Sequence, residues 1–121
     1  MYIISVRPFP PTITVKADSI DETKPLVAAC TTTGSRPKAT LHWTIGQKDV
    51  TSNATERSSY SNASDTHTVI SDLKYSVGKS DNEQVLTCKA VNVVASNGVL
   101  TSITLDVKCE FKKYVFISLH N

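Results

Sequence analysis

Short runs in which apolar and polar residues alternate recur along most of the chain, and six of them read as β-strands. These are TITV (Thr12 to Val15), LVAACTTT (Leu26 to Thr33), TLHWTI (Thr40 to Ile45), HTVISDLKYSV (His67 to Val77), QVLTCKAVN (Gln84 to Asn92) and LTSITLDV (Leu100 to Val107). All are rich in Val, Ile, Leu and Thr, which suit a pleated, half-buried surface. A period of two assigns one face of each run to a core: Leu26, Ala28 and Cys30; Leu41, Trp43 and Ile45; Val69, Leu73 and Tyr75; Leu86, Cys88 and Ala90; Ile103, Leu105 and Val107. No segment sustains a helical period. The intervening DSIDETKP, GSRPK, SNATERSSYSNASD, GKSDNE and SNG carry the Gly, Pro, Asn, Asp and Ser that turns require. The pattern predicts an all-β domain.

With 121 residues, 40% of them hydrophobic and 20% charged, the chain is long enough for one core and too short for two ordinary domains. The net charge of +2 is spread thinly, with no basic block to neutralise a line of phosphates, so nucleic acid is not an expected partner. The apolar run of YIISVRPFPP is cut by Arg7 and three prolines, and YVFISL near the other end is equally short. Neither is long enough for a signal-peptide core or a membrane span. An export signal or membrane anchor, if the protein has one, is expected outside this sequence.

Cys88 raises three possibilities: a reactive thiol, a metal ligand or half of a bridge. Cys30, Cys88 and Cys109 form no C-x-x-C pair, and His42, His67 and His120 are far from them in sequence, so no metal is expected. No nucleophile, base and orienting acid are grouped as a hydrolase would need. His42 alternates with Leu41 and Trp43 and is expected to point outward; His67, at a strand start, is expected to be solvated. GKSDNE lacks the earlier glycine of a phosphate-binding loop. The expectation is a protein without enzymatic activity, cofactor or small-molecule substrate.

The order VAACTTTGSRPKATLHW, a Ser/Thr-rich middle, then TVISDLKYSVGKSDNEQVLTCKAVN resembles an immunoglobulin domain of the C2 or intermediate type. It is most similar to the second domains of nectins, nectin-like synaptic cell adhesion molecules and nephrin-type receptors. The Cys30, Trp43, Cys88 order is the Cys…Trp…Cys pattern of that fold. The resemblance implies an immunoglobulin-like β-sandwich of two antiparallel sheets, with seven to nine strands in Greek-key order. It further implies a disulfide between Cys30 and Cys88 packed on a core Trp43. In one respect the chain departs from the family: the D-x-G-x-Y-x-C corner would put Tyr where Leu86 stands, with Asn82 and Gln84 at the preceding positions. This argues against the variable type.

The boundaries expected are a linker or the tail of a preceding domain over 1–9, the domain over 10–108, and an extension over 109–121 containing the odd Cys109. NAT at Asn53 and NAS at Asn62 are glycosylation acceptors in one polar stretch, in keeping with an exported ectodomain. The resemblance implies an extracellular module of a cell-surface adhesion or recognition receptor, acting by protein–protein binding and spacing. The partners would be other immunoglobulin-superfamily ectodomains, with membrane attachment only through a downstream anchor. The outward residues His42, Thr44, Lys89 and Val91 are the candidate interface. A soluble secreted immune-recognition protein and an intracellular structural bead are the alternatives.

Overall fold

The computed structural model describes residues 4–16, 20–21 and 23–108. The strands in chain order are β1 (Thr12–Val15), β2 (Ile20–Asp21), β3 (Leu26–Ser35), β4 (Thr40–Ile45), β5 (Lys48–Asp49), β6 (Ala54–Ser61), β7 (Thr66–Tyr75), β8 (Val85–Asn92), β9 (Ala95–Thr104) and β10 (Val107–Lys108). Eight of them form two four-stranded antiparallel sheets, ordered β1-β3-β7-β6 and β5-β4-β8-β9; β10 pairs with β2 in parallel. The chain passes between these sheets from β3 to β4, from β5 to β6 and from β7 to β8, the Greek-key connection of an immunoglobulin-like sandwich.

The alternation in the sequence is what closes the two sheets on each other. Leu26, Ala28 and Cys30 of β3 and Val69 and Leu73 of β7 face Leu41, Trp43 and Ile45 of β4 and Leu86, Cys88 and Ala90 of β8, and all are buried. Tyr75 and Ile103, expected inside, are partly buried and pack against this cluster from its margin, while Leu105 and Val107 are buried. Cys30 and Cys88 are joined across the core with their Cα atoms 6.5 Å apart. Trp43 is fully buried and sits directly opposite Cys88 in the β4–β8 ladder. Its indole N–H is satisfied by Ser71 Oγ of the facing sheet at 2.9 Å. Leu86 is fully buried in the position of the corner tyrosine.

Three stretches read as connections contain strands. The Ser- and Asn-rich run 52–65 holds β6, an eight-residue edge strand paired only with β7. Its side chains after Ala54 are all exposed, so no alternation marks it. Ile20–Asp21, within the expected turn 18–25, pairs with β10. SNG lies inside β9 rather than between strands: the β8–β9 turn is at Val93–Val94, two residues that carry no turn chemistry of their own. Register passes from Asn92↔Ala95 to Ala90↔Val99, leaving Ser96, Asn97 and Gly98 opposite Val91 as a bulge. Gly98 at φ +86° supplies the left-handed residue this bend requires.

Asn92 makes the early turn. Its side chain is nearly buried; Oδ1 accepts from the N–H groups of Val94 and Ala95, while Nδ2 donates to the carbonyls of Val6 and Pro37 at 2.9 and 3.1 Å. One side chain thus ties together the β8–β9 turn, the β3–β4 turn and the entering chain. Residues 6–9 are fastened further by the Val6↔Arg36 bridge, by Phe9 N–H to the Thr33 carbonyl and by Arg7 Nη1 to the Val94 carbonyl. Cys109 and the extension 109–121 lie outside the described residues.

Candidate functional site

The four candidate interface residues fall on one surface. His42 and Thr44 of β4 lie beside Lys89 and Thr87 of β8, and Leu100 and Ser102 of β9 complete the same cross-strand rows. Because Leu41, Trp43, Cys88 and Ala90 point into the core, these alternate residues must point out. His42, Thr44, Lys89 and Val91 line a shallow depression of about 340 Å³, together with Asp49, Thr87 and Leu100. His42 is half-buried in it, in keeping with the outward direction expected. His67, expected to be solvated, is instead half-buried with its ring 5.2 Å from that of Tyr60, because β6 lies alongside it.

Two local features shape the depression. At Gly98 the absent side chain lets the stem of Lys89 lie across β9; a Cβ there would strike Lys89 Cγ and Cδ. Asp49 accepts from the Thr51 N–H at 2.9 Å, and this bond, the Thr51 side chain and the nearby His42 hold its carboxyl below the usual carboxylate range. The free edge of β4 beyond the two-residue β5 is closed by side chains: Leu41 N–H donates to Glu56 Oε1 and Trp43 N–H to Thr51 Oγ1. Sequence reasoning missed Glu56, which lies in the run taken for a connection, and Thr51, which lies just before it.

The outward faces of the two sheets differ in charge. On the β1-β3-β7-β6 face Asp72 is bridged by Arg57 at 3.1 Å and by Lys16 at 3.7 Å, and Lys74 is exposed. On the opposite face the outward positions are Thr40, His42, Thr44, Asp49, Val85, Thr87, Lys89, Val91, Leu100, Ser102 and Thr104, of which only Asp49 and Lys89 carry formal charge. None of the ion pairs among the described residues lies there. Val85 and Leu100 are exposed aliphatics on it.

Two polar clusters lie elsewhere. Lys48 donates to Tyr75 Oη and Asp81, with its ammonium over the Tyr75 ring; the bond to Tyr75, followed by those to Asp81, raises its pKa. Tyr60 donates to Asp65, which also takes Arg36 Nη1 at 3.0 Å. The Tyr60 bond, aided by Arg36, lowers the Asp65 carboxyl, and Asp65 in turn raises the Tyr60 hydroxyl. Among the described residues no three His, Cys, Asp or Glu side chains are placed to hold one metal ion, and no helix is long and apolar enough to cross a membrane. Asn53 and Asn62 are exposed at the two ends of β6, on the sheet opposite the depression.

No curated protein matches the sequence. Among solved structures, the full ectodomain (Ig1–Ig3) of mouse nectin-like molecule 4 is similar with a TM-score of 0.77 at 21% identity, over 88% of this chain and 36% of that one. Rst D1–D2 follows with a TM-score of 0.73 at 22% identity, over 86% of this chain and 51% of that one. IgNAR antibody domain C3 is matched along 100% of its length, with a TM-score of 0.60 at 21% identity over 84% of this chain. The chain therefore spans about a third of the nectin-like ectodomain and about half of the two-domain Rst fragment. At these identities the likeness is one of fold. The family model for the CD80-like C2-set immunoglobulin domain matches residues 11–94, including both bridged cysteines and Trp43. The chain belongs to the CD80-like C2-set immunoglobulin domains.

Proposed function

We propose that this chain is an extracellular, non-enzymatic module of a cell-surface adhesion or recognition receptor, and that it binds another immunoglobulin-superfamily ectodomain through the β5-β4-β8-β9 face. The observation that carries this reading is the charge contrast between the sheets. Interface cores are depleted of charge relative to the rest of a protein's surface. The face around His42, Thr44, Lys89 and Val91 shares that low charge, with Lys89 as the lysine of the depression for a partner's carboxylate to meet. The opposite face carries more charge: Arg57 and Lys16 bridge Asp72, and Lys74 is exposed beside them.

The disulfide supports an oxidising, extracellular setting over an intracellular bead. Spacing is the second part of the proposal. The module is residues 10–108, and 1–9 lead into it; the bonds from Val6, Arg7 and Phe9 to the turn at the same pole would hold an incoming chain at a defined angle.

Single modules of this kind bind weakly and gain strength from arrays. The protein displayed densely on beads is expected to cluster them or bind cell surfaces, and Lys89→Glu or His42→Glu, with unchanged melting temperature, is expected to abolish that. Clustering and cell binding indifferent to both substitutions, or absent altogether, would overturn the reading.

A further inference from the structure

The edge strand β6 is eight residues long and has only one backbone neighbour, β7. Apart from the Ala54 N–H, which closes the preceding 3-10 turn on the Thr51 carbonyl, no backbone hydrogen bond outside the β7 ladder engages residues 54–60 among the described residues. Such an edge is a template for another strand and is normally blunted by charge, proline, a bulge or a cover. Here it has no proline, its β7 register runs unbroken from Ala54↔Leu73 to Ser61↔Thr66, and it carries two charges. Both are committed: Arg57 to Asp72 at 3.1 Å, and Glu56 to the Leu41 N–H at 3.2 Å. The side chains leave the edge poorly defended.

The sequence supplies a different cover. Asn53 of the first acceptor triplet ends the 3-10 turn immediately before β6, and Asn62 of the second stands immediately after it. Both asparagines, and the hydroxyl residues Thr55 and Ser64 that complete the triplets, are exposed. An eight-residue strand is roughly 27 Å long, so the two acceptors bracket the entire open edge.

We propose that Asn53 and Asn62 are N-glycosylated and that the two glycans together guard the β6 edge, keeping the module from pairing edge to edge while the opposite sheet stays bare. In the transfer, the side-chain amide nitrogen forms a bond to the anomeric carbon of an oligosaccharide held on a lipid diphosphate carrier. The bond from that carbon to the phosphate oxygen breaks, the lipid diphosphate leaves, and the nitrogen loses one proton. Each bulky, hydrated sugar then excludes a second chain from one end of the strand. The proposal does not depend on which face binds a partner.

The test uses the protein secreted from a eukaryotic host. Release of the sugars by an amidase that converts the linked Asn to Asp should mark both sites by mass. The glycosylated protein should sediment as a monomer. The Asn53→Gln/Asn62→Gln protein, or the native glycoprotein deglycosylated without unfolding, should self-associate at least roughly tenfold more tightly, as expected when a guarded edge is opened. Adding Ser58→Lys, an exposed charge in the middle of β6, should restore the monomer without sugars. Unoccupied sites, a sugar-free protein that remains monomeric, or self-association that Ser58→Lys does not relieve would each overturn the proposal.

Discussion

The Trp43 indole N–H donates to Ser71 Oγ across the centre of the sandwich, at 2.9 Å and with both side chains buried. Ser71 occupies the inward position of β7 between Val69 and Leu73 and lies opposite Cys30 in the β3–β7 ladder. One hydroxyl therefore sits among the tryptophan, the disulfide and the aliphatic core. Ser71→Ala leaves the indole donor without a partner in a dry site and should cost about 1–3 kcal/mol, the penalty for an unsatisfied buried group. Urea unfolding followed by Trp43 fluorescence measures it; a loss within error would mean that the indole finds water or another acceptor.

The Cys30–Cys88 bridge closes a sequence separation of 58 residues. In the chain-entropy model its removal costs about 4 kcal/mol, a large share of what a domain of this size has. Cys30→Ala/Cys88→Ala should lower the melting temperature by far more than any surface change. Of the three cysteines two are bridged, so the denatured, unreduced chain should take up one alkylating group. Peptide mapping should put it on Cys109; recovery on Cys30 or Cys88 would refute the pairing.

Asn92 should matter as much as a core residue although it lies at a turn. Asn92→Ala removes the side-chain partner of the Pro37 carbonyl and of the Val94 and Ala95 N–H groups together, and leaves the Val6 carbonyl only its bond from the Arg36 N–H. A loss of about 2–3 kcal/mol is expected, from several bonds each worth about 1 kcal/mol net. Amide exchange at Val94 and Ala95 should rise before global unfolding, because only their acceptor is removed.

The same residue shows where the sequence stops being legible. Strands whose inward residues alternate with outward ones were readable because burial on one face writes a period of two: β4 and β8 ended where the pattern did, and Cys30, Trp43 and Cys88 fell on its inward side. β6 was unreadable for the converse reason, since a strand exposed on both faces is free of that constraint. The β8–β9 turn was misplaced because Val93–Val94 is shaped from outside by Asn92, while the obvious turn residues Asn97 and Gly98 serve a bulge within β9. The outward placement of His42, Thr44, Lys89 and Val91 followed from alternation alone. That Asp49 and Leu100 join them depended on pairing partners that one strand's pattern does not contain.

Acid should loosen the β6–β7 hairpin. The Tyr60 bond and the Arg36 charge hold the Asp65 carboxyl below its ordinary value. A group whose folded pKa is depressed stabilises the fold above its unfolded pKa, near 3.9, and that stabilisation is lost as pH falls through the folded value. Melting temperature should therefore drop below about pH 4, and Asp65→Asn should flatten that limb. The effect at neutral pH should be small, because exposed pairs contribute little.

Gly98 links the fold to the candidate face. Its φ of +86° disfavours any side chain, and a Cβ would collide with the Lys89 stem lying over it. Gly98→Ala should therefore destabilise by more than about 1 kcal/mol, the scale set by alanine at a positive φ. It should also lift the Lys89 ammonium off β9. The two causes separate in a double-mutant cycle: Lys89→Ala removes the collision and leaves the backbone strain, so the double variant should recover part of the loss, with a coupling above about 0.5 kcal/mol, as for residues in contact. A cycle that closes additively would mean that Gly98 serves only the bulge and that Lys89 reaches the face without its help.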